Sequence, residues 1–130
     1  GYDYNRLNMI LAVLEKRSGY IFSNLDVYVN IVGGLRIDEP AADLAVAVAL
    51  LSSLKSNPVR EDVIVFGEIG LAGEVRAVSS AAARVSEAAR LGFKKCILPY
   101  YSMRGIKSPP SEIELAAVRE VRRAFDEASQ

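Results

Sequence analysis

The sequence predicts an α/β (α+β) domain, two layers built around a mixed sheet. Three observations carry that expectation. Stretches with helical spacing alternate with short runs of aliphatic and β-branched residues. Glycine and proline punctuate the joints, at Gly19, Gly33-Gly34, Pro58 and Gly92. The chain has 130 residues, 51% of them hydrophobic, which is enough for one globular domain with a real core.

The elements follow in order. Asp3 is placed to cap a helix over 4–18, in which Leu7, Ile10, Leu11 and Leu14 recur at helical spacing before Gly19. Residues 25–32 alternate as a strand, Gly33-Gly34 breaks it, and 35–37 resumes it. Pro40 fits the first position of a second helix, with Glu39 and Asp43 favourable to its dipole. This helix runs to about Lys55, is apolar nearly all round from Leu44 to Leu51, and is ended by Asn57-Pro58. Residues 63–69 read as one buried strand. Ala72-Gly73 reads as the turn of a hairpin returning over 75–78. Ser79 or Ser80 caps a helix to about Leu91, which Gly92 terminates. A short strand over 95–98, a loop over 100–110, a strand over 113–116 and an amphipathic helix over 118–128 complete the order.

Composition narrows the chemistry. There are 16 basic and 16 acidic residues, so net charge argues for neither nucleic acid nor a membrane surface. The charge is segregated, however. Residues 76–107 hold seven bases against one acid, and residues 37–75 hold seven acids against two bases. With no histidine and one cysteine, Cys96, the inventory excludes a zinc site, a Ser-His-Asp triad and an internal disulfide. Cys96 itself reads as a small buried strand residue. The longest apolar run, Leu44 to Leu51, is too short to span a bilayer, and no signal-peptide pattern opens the chain. The expectation is therefore a cytoplasmic protein without a membrane segment. Gly1 in place of an initiator Met reads as a cut from a longer chain.

Two segments carry a resemblance. Asp38-Glu39-Pro40-Ala41-Ala42-Asp43 opens an apolar helix, and Gly67-Glu68-Ile69-Gly70-Leu71-Ala72-Gly73-Glu74-Val75-Arg76 forms a glycine-punctuated hairpin leading into a helix. With Asp3-Tyr4-Asn5-Arg6 near the start, they resemble the Lon-type serine-lysine peptidase domain. The form they resemble is the Lon-like C-terminal domain of RadA-type DNA-repair proteins, from Asp3 to about Ala128. The resemblance implies a Lon proteolytic-domain-like fold over residues 1–130.

A serine-lysine peptidase needs a hydroxyl at a helix start, where backbone N–H groups hold the developing oxyanion, and a neutral lysine that takes the serine proton. The family pattern puts the serine at Ala41 and the lysine at Ala82. Both reactive groups are then methyl groups. Arg84 cannot stand in, because a guanidinium stays protonated. Asp43, where the family has glycine, would repel an oxyanion. Ser79 and Ser80 read as capping residues rather than nucleophiles. Losing both groups leaves at most about 10³–10⁴-fold acceleration over water. The expectation is a domain that is not an enzyme, with an active ATP-dependent Ser-Lys peptidase as the alternative.

The resemblance further implies a parent ATPase, hexameric and active in recombination and branch migration. ATP, magnesium and zinc belong to its upstream modules; no phosphate-binding loop or cysteine cluster occurs here. Implied partners are single-stranded or branched DNA, other copies of the chain, and a recombinase. Arg84, Lys94, Lys95, Arg104 and Lys107 are the bases able to converge on phosphates. Tyr100 and Tyr101 either stack on bases or pack against the sheet. A purely structural oligomerisation domain, with acidic and basic stretches meeting head to tail, remains a separate expectation.

Overall fold

In this computed structural model the residues described are 9, 10, 12, 13 and 40–129. Met9, Ile10, Ala12 and Val13 are helical, with Ile10 buried, as the spacing predicts, and Val13 buried as well. The strands expected over 25–37, Asp38-Glu39, and the rest of the helix expected over 4–18 lie outside the described residues.

From residue 40 the order is a 3₁₀ turn (Pro40–Ala42), α1 (Asp43–Lys55), β1 (Val63–Val65), β2 (Glu68–Ile69), β3 (Val75–Arg76) and α2 (Ala81–Arg90). Then follow β4 (Lys95–Pro99), a 3₁₀ turn (Tyr100–Gly105), β5 (Glu114–Val118) and α3 (Val121–Ser129). The domain is α/β. Strands β1, β4 and β5 form a parallel sheet in the order β1-β4-β5, with Val63 opposite Lys95 and Pro99 opposite Val118. Strands β2 and β3 form a separate antiparallel hairpin.

The central strand β4 is buried at all five positions, as expected when both faces of a parallel sheet are covered. Its side chains divide by the period of two. Ile97 joins the core made by α1, α3, Val63, Val65 and Val118. Cys96 and Leu98 join the core made with Phe66, Ile113 and the Ala81, Val85 and Ala88 stripe of α2. Helices therefore flank this sheet on both sides. Cys96 is fully buried, and burial pushes its thiol pKa up to about 12, so the thiolate is not accessible near neutrality.

Several boundaries differ from the sequence expectation, each for a physical reason. The strand read over 63–69 breaks at Phe66-Gly67, and its halves join different sheets. Helix α1 ends at Lys55, as expected, but its stop is the left-handed Ser56, φ 51°, rather than Asn57-Pro58. The loop expected after Tyr100 begins as a six-residue 3₁₀ turn. Val118, read as the start of the last helix, is the final residue of β5 opposite Pro99.

Candidate functional site

The segment resembling a nucleophile site is built into the core. Ala41 lies in the Pro40–Ala42 turn and is 3% exposed. Its carbonyl accepts the Gly67 N–H at 2.8 Å, and the Gly67 carbonyl accepts the Leu44 N–H at 3.0 Å. The start of α1 is thus sewn to the chain between β1 and β2. Only glycine suits position 67. A Cβ there would meet Leu44 Cδ2 at 3.1 Å and both Pro99 Cγ and Val75 Cγ1 at 3.2 Å. Asp43 is fully buried, and its Oδ2 accepts the Ile69 N–H at 3.1 Å. The carboxylate therefore ties the helix start to the hairpin, a more specific role than the dipole interaction expected from sequence.

Ala82, at the lysine position, is exposed in the first turn of α2. The serines before it do not cap that helix through their side chains. Ser80 instead takes a left-handed conformation at φ 59°, so the capping expectation is corrected. Arg84 turns back to donate its Nε–H to the Ser79 carbonyl at 2.9 Å, and its guanidinium lies 5.9 Å from the Phe66 ring centroid. The hairpin turn is closed by Glu74. Its Oε1 accepts the Ala72 N–H at 3.1 Å and its Oε2 pairs with Arg76 at 3.2 Å. Hydrogen bonding from its own backbone N–H, supported by Arg76 and the Ala72 N–H, lowers the Glu74 pKa.

The basic segment resolves into two kinds of cation. Lys95 is 5% exposed. Its ammonium meets the Glu127 carboxylate at 2.9 Å and donates to the Glu127 backbone carbonyl at 2.8 Å. The hydrogen bond from Lys95 lowers the Glu127 pKa. This buried pair pins the end of α3 to β4, so Lys95 leaves the set of bases able to reach a phosphate. Arg90 is paired with Glu87. Lys94, Arg104 and Lys107 are exposed, and none forms an ion pair within 4 Å among the described residues. Lys94 lies near enough to Asp62 to help lower its pKa, after the larger effect of the Arg60 hydrogen bond.

In the turn that holds Arg104, the structure gives the tyrosine pair expected from sequence a partner that the sequence did not point to, Arg119. Tyr100 and Tyr101 are 45% and 54% exposed, so both rings stay largely open to solvent rather than buried on the sheet. Their rings meet edge to face, 5.4 Å between centroids. The Arg119 guanidinium sits 4.0 Å over the Tyr100 ring. Arg119 and Tyr100 line a groove of about 570 Å³ together with Glu120, Arg122, Arg123 and Asp126. The groove is held to the hairpin by the Val75 N–H, which donates to the Arg119 carbonyl at 2.9 Å, and by a bridge between Glu74 and Glu120.

Fold and site together define an α/β domain whose helix start is locked to a glycine hairpin, with an exposed cationic and aromatic turn alongside. The chain belongs to the family described as subunit ChlI of Mg-chelatase, whose model matches residues 5–102. Its relatives carry a more particular name. It is 48% identical to the DNA repair protein RadA of Halalkalibacterium halodurans over 97% of this chain and 27% of that protein. The RadA of Streptococcus pneumoniae matches at 48% over 91% of this chain and 28% of the relative, and that of Synechocystis at 54% over 76% and 20%. The match is consistent with the C-terminal region of RadA proteins. The chain spans about a quarter of the length of these curated relatives. No helix among the described residues is long and apolar enough to cross a membrane.

Proposed function

We propose that this chain is a proteolytically inactive Lon-like domain of a RadA-type DNA-repair protein, retained for contact with DNA and for ring assembly. The observation that carries the first half is Ala41. Its carbonyl and the Leu44 N–H are both bonded to Gly67, yet the side chain at the nucleophile position is a buried methyl group. Ala82 leaves the base position without an amine, and the Asp43 carboxylate occupies the helix start where an oxyanion would need donors. The DNA half draws on the relatives' name and on the exposed Lys94, Arg104 and Lys107. In this reading the parent protein is a cytoplasmic, hexameric ATPase acting on single-stranded or branched DNA with a recombinase. Its ATP, magnesium and zinc belong to modules outside this chain.

The test is fluorescence anisotropy with labelled DNA across a salt series. Lys94→Glu combined with Lys107→Glu should weaken binding and flatten the salt dependence by about one unit of slope per lost phosphate contact. Sedimentation velocity on the same variant should show unchanged oligomer mass. Binding that keeps its strength and slope would remove these residues from the interface. Leu71, 76% exposed at the hairpin tip, is the position to change for assembly: Leu71→Asp should lower oligomer mass. Incubation with an unfolded protein should leave it intact. Cleavage abolished by mutating Ser79 or Ser80 would restore the peptidase alternative.

A further inference from the structure

We propose that the groove between the Tyr100–Gly105 turn and the start of α3 is a base-stacking subsite for a single strand of nucleic acid. Tyr101 and the Arg119–Tyr100 pair are the planar surfaces that take the bases. The inference rests on the DNA-contact reading and goes further, naming where on this domain the bases are held and the groups that hold them.

Four features of the site support it. Two adjacent tyrosines are half in water, in a domain whose other large apolar side chains mostly build two cores. Their rings are nearly perpendicular, so planar faces point in more than one direction, and the Arg119 guanidinium lies 4.0 Å from the Tyr100 ring centroid. The adjoining groove, about 570 Å³, is of the size that holds a compact ligand group. Arg104 stands in the same turn as the tyrosines and Lys107 two residues beyond it, both exposed, so cations that can meet phosphates lie close in sequence to the stacking rings.

The charge within the groove decides between forms of partner. Arg119, Arg122 and Arg123 are set against Glu120 and Asp126, and Arg123 is already paired with Glu127 at 2.9 Å. That balance is too even to grip a duplex through phosphates alone. It suits a single strand, whose unstacked bases add attraction through aromatic and guanidinium faces. An acidic peptide is disfavoured by the two carboxylates and would leave the tyrosine faces unused.

The test uses the full-length protein and three labelled probes: an oligothymidine, an abasic strand with the same number of phosphates, and a hairpin duplex. Oligothymidine should bind at least about fivefold more tightly than the abasic strand, the low end of what base–aromatic stacking supplies. Tyr101→Ala should erase that advantage without altering abasic binding, and Tyr101→Phe should keep it. Tyr101 is exposed, so the melting temperature of both variants should match the parent. Equal binding of oligothymidine and abasic strand, or an equal loss on both in Tyr101→Ala, overturns the stacking subsite while leaving phosphate contact by Arg104 and Lys107 in place. Absence of salt-dependent binding to all three probes overturns both readings. An oligoglutamate peptide binding more tightly than oligothymidine, and weakened by Tyr101→Ala, reassigns the groove to a protein partner.

Discussion

The start of α1 and the turn after β4 treat their polar groups in opposite ways. Around Ala41 the backbone and the Asp43 carboxylate are buried and bonded inward, to Gly67, Leu44 and Ile69. Around Tyr100 the rings and the guanidinium of Arg119 bond to each other at the surface and remain open to solvent. The first region has its hydrogen-bonding capacity consumed by the fold. The second has capacity left for something else. The contrast separates side chains committed to stability from those open to a partner.

Adjacent lysines give the largest test of that contrast. Lys95→Met removes the charge-assisted bonds from Lys95 to Glu127, leaving that carboxylate only its exposed partner Arg123, and should cost about 2 kcal/mol in chemical denaturation. Lys94→Glu, one residue away and exposed, should change stability by no more than about 0.5 kcal/mol while weakening DNA binding. If the two variants prove equally stable, the division into a structural and a surface cation fails.

Gly67→Ala comes next. Its methyl would press on Leu44, Pro99 and Val75, and thermal melts should show a loss of about 2 kcal/mol. A neutral outcome would mean that the helix start and hairpin are more loosely joined than their hydrogen bonds indicate.

Acid exposes the same buried pair by another route. The Glu127 pKa lies below its ordinary 4.5 because the carboxylate accepts from Lys95. The folded state therefore binds this proton less readily than the unfolded chain. The pair's contribution is fully present above about pH 4.5 and is lost as pH falls through the lowered folded-state value. Urea midpoints should fall more between pH 5 and pH 3 for the parent than for a Lys95→Met, Glu127→Leu double variant. Parallel curves would show the pair to be thermodynamically silent.

The smallest effect is a gain. Ser80→Gly relieves a left-handed serine at a cost of unfolded-state entropy, and should stabilise the domain by about 0.5 kcal/mol.

How much of this was legible in the sequence depended on whether a residue's role was local. Leu44 to Leu51 declared a buried helix, and Gly92 a helix end, because apolar period and positive φ act within a few residues. Strand 63–69 looked continuous because Val63-Ile64-Val65-Phe66 is apolar right up to the break. The break is imposed by the distant backbone of Ala41 and Leu44, closing on Gly67. Lys94-Lys95 read as a matched pair, since nothing local reveals that Glu127, 32 residues on, takes one of them. The nucleophile and base positions were legible only through resemblance. Arg119 and Arg122 were missed because the basic stretch was bounded at Lys107, and the acids interleaved with them masked the excess. The signal that would have found them is the cluster of three arginines over 119–123 beginning one residue after a strand.

The bond from the Val75 N–H to the Arg119 carbonyl has a consequence for anyone re-engineering this domain. The hairpin that would have to be reshaped to admit a nucleophile and a base is also the mount that holds Arg119 above Tyr100. Rebuilding a cutting edge on one side would shift the grip on the other. The two uses draw on the same few atoms of backbone, so a chain of this design could be selected for one or the other, but not readily for both.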